Sequence, residues 1–273
     1  MTGKFAEIDK QLSTRRILTL DIERIPGRFA AEWRGMNITG DFWDLSDGKW
    51  KFGRRIRPDE VTEWPSTCCA AWRHYGEKRY GFTSVWGSED MAADIGEQLD
   101  WAEIVVGHNV DAFDLKKINA QLWLEDKPVP TTYKTVDTLK ILRSRMGLES
   151  NTLQSACDRA GIQTKVDHYD PTIARAAVSG DIKAQRRIER YNKGDIAATE
   201  ALYNRLRPWI ANHPHVLPDS ATPRCHVCGS DRLERAGTYT AQVNEYAAYR
   251  CQNCGANLRA GLVRRVATTR GIR

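Results

Sequence analysis

Four acidic side chains stand in three short segments far apart along the chain: Asp21 and Glu23 in ILTLDIERIPG, Asp114 in VVGHNVDAFDLKKI, and Asp195 in YNKGDIAATEALY. Carboxylates are hard oxygen donors, and four of them converging on one point could hold two divalent cations such as Mg2+ or Mn2+. A pair of cations held this way suits phosphodiester hydrolysis, because one activates water while the other steadies the leaving oxygen. Tyr191 precedes Asp195 by four residues, so in a helix the two share a face. A second set of metal-ligand type stands near the C-terminus, Cys225-His-Val-Cys228-Gly and Cys251-Gln-Asn-Cys254-Gly, with 22 residues between the knuckles. Two C-x2-C knuckles at this spacing read as a closed structural Zn2+ site, and the glycine after each lets the backbone turn. A unit of about fifty residues hardly holds a core unaided, and one zinc ion would supply it.

These residues need elements to position them. Residues 17–22, Ile-Leu-Thr-Leu-Asp-Ile, predict a strand in which Asp21 and Glu23 point to one face and Ile22 to the other. Two carboxylates at the end of a buried strand repel each other unless a cation lies between them. Residues 67–75 and 78–86 predict two strands joined by a Gly-Glu turn, and Met91, Ile95 and Leu99 recur every four residues behind a helix start at Ser88. Residues 104–106 read as a buried strand. A helix over about 112–124 follows, with Asp111 as its natural N-cap, Phe113 able to pack inward and Asp114 as the free carboxylate. Residues 133–139 predict another strand, 152–161 and 171–178 short helices, and 181–207 a long helix broken or softened at Gly194. Ile188, Leu202 and Leu206 lie on the stripe of Asp195, so this carboxylate faces the core and needs a partner. Residues 28–65, rich in Trp, Gly and charge, read as an irregular insertion or long loop. The order of elements predicts an α/β fold with a mixed sheet.

Composition sets the outer bounds. The 273 residues suffice for one sizeable domain and a small one, and a hydrophobic content of 41% allows a packed core through most of the length. The net charge of +6 resides entirely in residues 224–273, which hold nine arginines, no lysine and three acids. A compact basic unit suggests a polyanionic partner. Four of the ten prolines fall within 208–223, marking a linker between residues 1–207 and the unit at 224–273. The remaining Cys68, Cys69 and Cys157 form no disulfide framework and fit a reducing compartment. The N-terminal residues lack the apolar stretch of a signal peptide, and no run approaches the roughly 18 apolar residues of a membrane span. The expectation is a cytoplasmic protein without membrane contact.

Taken together and in this order, the acidic motifs resemble those of the DEDD 3′–5′ exonucleases of the ribonuclease-H-like superfamily: Asp-x-Glu at 21–23, His-Asn-x3-Phe-Asp at 108–114 and Tyr-x3-Asp at 191–195. The tyrosine of the third motif is similar to that of the subgroup found in the exonuclease domain of family B DNA polymerases and in stand-alone relatives. The histidine subgroup would need histidine at position 190, where arginine stands. The resemblance implies a ribonuclease-H-like mixed sheet flanked by helices over residues 1–207. It also implies Asp21, Glu23, Asp114 and Asp195 as ligands of two catalytic Mg2+ or Mn2+ ions, with Tyr191 orienting or activating the attacking water. The activity it implies is removal of nucleoside 5′-monophosphates from the 3′ end of nucleic acid, DNA more than RNA. Asn109, at the strand end, is either a contact to the terminal nucleotide or a loop amide bonding its own backbone. An RNA-trimming enzyme of the same chemistry and a non-catalytic nucleic-acid-binding module are the alternatives; the presence of all four carboxylates and the tyrosine argues against the second. The C-terminal zinc ribbon is expected to engage nucleic acid, or a polymerase or other replication or repair protein. Residues 28–65 depart from the family pattern in length and tryptophan content.

Overall fold

The apolar run at 17–22 becomes β1 (Ile17–Ile25), whose Leu18, Leu20 and Ile22 point into one layer and Ile17 and Ile25 into the other, all of them buried. The computed structural model describes residues 15–163, 168–216, 222–241 and 243–265. After β1 the chain builds β2 (Gly27–Trp33), β3 (Met36–Phe42), a short helix α1 (Gly48–Phe52) and β4 (Val61–Glu63), then returns as β5 (Ser66–His74) and β6 (Gly81–Ser84). Helix α2 (Met91–Trp101), β7 (Ile104–Gly107), α3 (Asp114–Leu124), β8 (Lys134–Asp137), α4 (Thr138–Arg145), α5 (Leu153–Arg159), α6 (Pro171–Val178) and α7 (Ile182–Leu206) follow. The C-terminal unit is a three-stranded antiparallel sheet of β9 (Leu233–Ala241), β10 (Asn244–Cys251) and β11 (Asn257–Arg265).

The main sheet has the order β6-β5-β1-β7-β8, with β5 antiparallel to β1 and to β6, and β7 parallel to β1 and to β8. It is a mixed sheet with helices on both faces. Leu18, Leu20 and Ile22 of β1 pack with Ile95 and Leu99 of α2 and Leu115 and Ile118 of α3. On the other face Ile25 meets Ala174 and Ala177 of α6 and Ile188 of α7. Parallel pairing of β1 with β7 covers only Ile17–Thr19, so β1 runs on past the end of β7 and carries Asp21 and Glu23 beyond it. No described helix is long and apolar enough to cross a membrane.

Several local expectations are corrected. Residues 28–65 are not an irregular loop. The strands β2, β3 and β4 form a separate sheet of order β3-β2-β4 over a small core of Phe29, Ala31, Phe42, Phe52 and Ile56. Its two ends meet at β1 and β5, where Ile25 pairs with Ser66, and a Cβ at Gly27 would lie 2.5 Å from the Glu63 carbonyl. Helix α7 runs unbroken through Gly194, whose missing side chain faces open space. The roughly 1 kcal/mol that a helical glycine costs is offset by burying Ile188, Ile196, Leu202 and Leu206 along the opposite face. Asp111 does not cap α3 but pairs with Lys140 at 2.7 Å, and Phe113 holds the cap position without a side-chain bond, 38% exposed rather than packed inward. The cap of α2 is Asp90, two residues after Ser88. The strand expected over 133–139 stops at Asp137, which caps α4 by accepting the Leu139 N–H at 3.0 Å.

Of the expected linker, residues 217–221 lie outside the described residues, as do residues 1–14 of the expected N-terminal domain and residues 266–273 of the basic tail. The described part of the linker is packed. Ile210 and Val216 join Ile17, Ile104, Val106, Val136 and Tyr203 in one cluster with Cys225, Val227, Cys228, Cys251 and Ala256. The cysteine unit thus shares a core with the strand starts of the main sheet.

Candidate functional site

The acidic residues meet where β1 outruns β7. Asp21 and Glu23 alternate with Ile22 and so share the face covered by α7, and α7 places Asp195 opposite them. One carboxylate oxygen from each of Asp21, Glu23 and Asp195 lies within 4.8 Å of the others, so this triad could hold a divalent cation such as Mg2+. Asp114 is buried beside the triad but is not part of that tight group. Its position follows from the local backbone. The chain turns sharply after β7, α3 begins at Asp114, and Asp114 Oδ1 accepts the Ile22 N–H at 3.2 Å. The turn itself is pinned by buried Asp137, whose carboxylate accepts the N–H groups of Asn109 at 3.0 Å and Asp111 at 3.4 Å.

Four acids in one low-dielectric place make the charged form costly. Burial, then the neighbouring Asp114, Glu23 and Asp195, push the Asp21 carboxyl well above the usual range, against a smaller opposing pull from Asn192. Burial and Asp195 do the same to Glu23. Burial raises Asp114 to about 7 and Asp195 to about 6. Tyr191 lies beside Asp195, and burial and that carboxylate push its pKa far up, so it stays protonated. The aromatic ring of Tyr191 lies 6.4 Å from that of Tyr169, whose hydroxyl donates to the Arg24 carbonyl.

One member of the site had no place in the sequence reading. Asn192 is fully buried, and its Nδ2 donates to Asp21 Oδ2 at 2.6 Å. A polar residue inside a helix ordinarily reads as solvent-facing; the signal here was its position three residues before Asp195, on the core side of the helix. Asn109 stands at the mouth of the turn with φ of 68°, a left-handed conformation that asparagine tolerates, and its carbonyl accepts from Ala112 and Phe113 at 3.2 and 3.0 Å. Its side chain is half-buried.

The second cluster lies at the other end of the sheet. Cys225, Cys228, Cys251 and Cys254 bring their sulfurs together, with Cys225 Sγ 3.6 Å from Cys254 Sγ and Cys228 Sγ 3.6 Å from Cys251 Sγ. Four thiolates about 2.3 Å from a tetrahedral Zn2+ would stand about 3.8 Å apart, so the donor type and spacing fit a structural zinc ion. The first three are buried, which closes the site to substrate. The three other cysteines are buried and unpaired; Cys69 Sγ lies 4.0 Å from Asn192 Oδ1.

No protein-family model matches the chain and no curated protein is recognisably similar to it, so what the two clusters can do follows from their geometry and chemistry.

Proposed function

We propose that the chain is a metal-dependent 3′–5′ exonuclease with a ribonuclease-H-like fold, acting on nucleic acid and on DNA in preference to RNA. The observation that carries this reading is the convergence of Asp21, Glu23 and Asp195 within 4.8 Å, from segments far apart in sequence, with Asp114 buried beside them and Tyr191 next to Asp195. A mixed sheet whose central strand carries the first acidic pair supports the fold assignment.

Asp21, Glu23, Asp114 and Asp195 would hold Mg2+ or Mn2+, whose positive charge relieves the repulsion that pushes their protonation upward. Bound there, the metal supplies a lowered water pKa and charge neutralisation at the leaving oxygen. The protein's own groups do the positioning. Asn192 ties up one oxygen of Asp21 and the Ile22 N–H one oxygen of Asp114, so each carboxylate keeps a fixed orientation with its other oxygen available. Tyr191, beside Asp195 and unable to ionise near neutral pH, orients water as a neutral hydroxyl and is not the base. The four sulfurs near the C-terminus would hold zinc in a structural role.

The test is a time course on 5′-labelled single- and double-stranded DNA and RNA, with Mg2+, with Mn2+ and with neither. Stepwise shortening of the labelled strand from its 3′ end is expected with either metal, faster on DNA, and none without metal. Internal cuts, or intact strands under every condition, would remove the exonuclease reading. Faster shortening of RNA would replace the DNA preference with the RNA-trimming alternative.

A further inference from the structure

The C-terminal sheet has one anchored face and one open face. Cross-strand partners share a face. Leu233 pairs with Cys251, Arg235 and Leu258 with Tyr249, and Leu233 and Leu258 pack into the thiol cluster. That face is held by the main domain. The opposite face carries a row of direct partners, Tyr239 of β9, Tyr246 of β10 and Leu262 of β11, with Tyr239 50% and Leu262 60% exposed. Arg259, opposite Ala248 and thus on the same face, lays its guanidinium 4.5 Å from the Tyr246 ring centre and 5.5 Å from that of Tyr239. Arg250, two residues beyond Ala248 on β10, shares this face and is exposed. Of the three acids of the unit, Glu245 is paired with Arg264 at 2.5 Å, and Glu234, the cross-strand partner of Arg250, is bonded to the Gln252 amide; among the described residues neither Arg250 nor Arg259 forms an ion pair. An aromatic row overlaid by arginine, on the unit whose own charge equals the net charge of the whole chain, matches bases that stack and phosphates that need cations.

We propose that this open face is a second binding site, for single-stranded nucleic acid, with bases stacking on Tyr239, Tyr246 and the Arg259 plane and phosphates meeting Arg250 and Arg259. Its choice of ligand rests on the nucleic-acid reading of the acidic site; its geometry does not. The site is remote from the chemistry. The cysteine unit joins the core at Ile17, and Glu23 lies six residues along the same strand, a separation of about 20 Å at roughly 3.3 Å per residue. A strand occupying both places must be long, so the face confers a dependence on substrate length that the carboxylates alone would not produce.

The experiment uses the full-length, zinc-loaded protein carrying Asp195→Asn, without added Mg2+ or Mn2+, so that binding is read whether or not the protein cleaves. Fluorescence anisotropy compares oligo-dT of about 4 and about 30 nucleotides and an abasic strand of the greater length, across salt concentration. Tyr239→Ala with Tyr246→Ala should weaken binding of the long oligo-dT at least tenfold, leave the short one within twofold, and change the abasic strand little. Arg250→Gln with Arg259→Gln should make the salt dependence of long-strand binding shallower. Zinc content and melting temperature near those of the parent protein show that each variant is folded; Tyr239→Phe with Tyr246→Phe, which keeps the rings, should bind like the parent. Unchanged affinity in folded ring-deletion variants, or an equal loss on the abasic strand, overturns the stacking site. If the wild-type protein fails to degrade any strand while the tyrosine variants still lose affinity, the exonuclease reading fails and this site stands.

Discussion

The two ends of β1 hold two clusters of would-be anions built on opposite principles. At the far end, Asp21, Glu23, Asp114 and Asp195 come from three segments held by elements whose stability derives from Leu18, Leu20, Ile188 and their neighbours. The carboxylates add nothing to that core, and their mutual repulsion works against it. At the near end, four cysteines from two local knuckles sit inside the hydrophobic cluster with Ile17, Val106 and Tyr203, so the ligands are themselves core residues. The lesson is one of division of labour. A cluster that resists its own burial serves chemistry and can be lost without loss of fold; a cluster that forms the core serves the fold and cannot.

The largest effect that would break this contrast lies at the acidic end. Asp195→Asn should lower the cleavage rate by about a thousandfold or more, since losing a metal ligand forfeits several kcal/mol of transition-state stabilisation. Its melting temperature should equal or exceed that of the wild type. Activity near wild type in the presence of metal would sink the assignment, and a collapse of the fold would sink the contrast. Next comes the thiol end. Cys251→Ser should cost several kcal/mol, because the free energy of zinc binding is folding free energy. The loss should appear as a lower denaturation midpoint for the whole chain, since the cluster includes Ile17 and Val136 of the main sheet. For the same reason, truncation near Pro218 should expose apolar strand starts and reduce stability rather than release an intact main domain. A mutant that melts in two steps, the upper one at the wild-type temperature, would show that the shared cluster contributes nothing to the sheet.

Tyr191→Phe should be intermediate, lowering turnover roughly 10- to 100-fold with KM little changed, because a positioning hydroxyl contributes less than a metal ligand. Full activity would remove the tyrosine from the site, and inactivity equal to that of Asp195→Asn would give it a larger part. The smallest effect is one of pH. Asp114, raised to about 7, is neutral in the folded state at pH values where the unfolded chain already ionises it. A carboxyl shifted this way contributes stability that is fully present below its unfolded pKa, about 3.9, and is lost as pH rises through 7. His213, lowered to about 4 by burial, has the opposite sign, with stability lost as pH falls below about 6.5. Between about pH 6.5 and 8 the raised carboxyls of the site, Asp114 with Asp21 and Glu23, outweigh the histidine. Without Mg2+ or Mn2+, wild-type stability should fall across that window, with a share on the order of 1 kcal/mol from Asp114, and Asp114→Asn should make the fall shallower. Identical slopes for the two proteins would mean that Asp114 does not titrate there.

How much of this was legible in the sequence depended on whether the signal was local. The cysteine knuckles and the 17–22 strand are written in consecutive residues, and each forms where expected. The convergence of the acids was readable as a set but not in detail. Nothing in the spacing separates Asp114, turned toward the Ile22 N–H, from the tight triad of Asp21, Glu23 and Asp195. The sheet of β2, β3 and β4 stayed hidden although Phe29, Ala31 and Trp33 alternate, because β3 is largely exposed and Gly40 and Asp41 blur its period. Its core also depends on Phe52 and Ile56, which only the fold brings back to Phe29. Gly194 misled for the opposite reason. Its local cost is real, but tertiary burial along the other face of α7 outweighs it.

The neck at Gly27 has a consequence for how such a chain can vary. The β2–β4 sheet leaves the main domain after Ile25 and returns at Ser66, two residues that are direct partners in the β1–β5 ladder. Topologically it is the turn of a hairpin grown into a cassette, with a neck where a glycine lets the outgoing and returning chains touch and a tether to α6 through Arg175, which pairs with Asp41 at 3.0 Å and Glu63 at 3.2 Å. A cassette joined at such a neck can lengthen, shrink or be exchanged between chains while the register of β1 against β5, and with it the placement of Asp21 and Glu23, stays the same. Diversity in what is presented beside the carboxylates is thereby uncoupled from the carboxylates themselves.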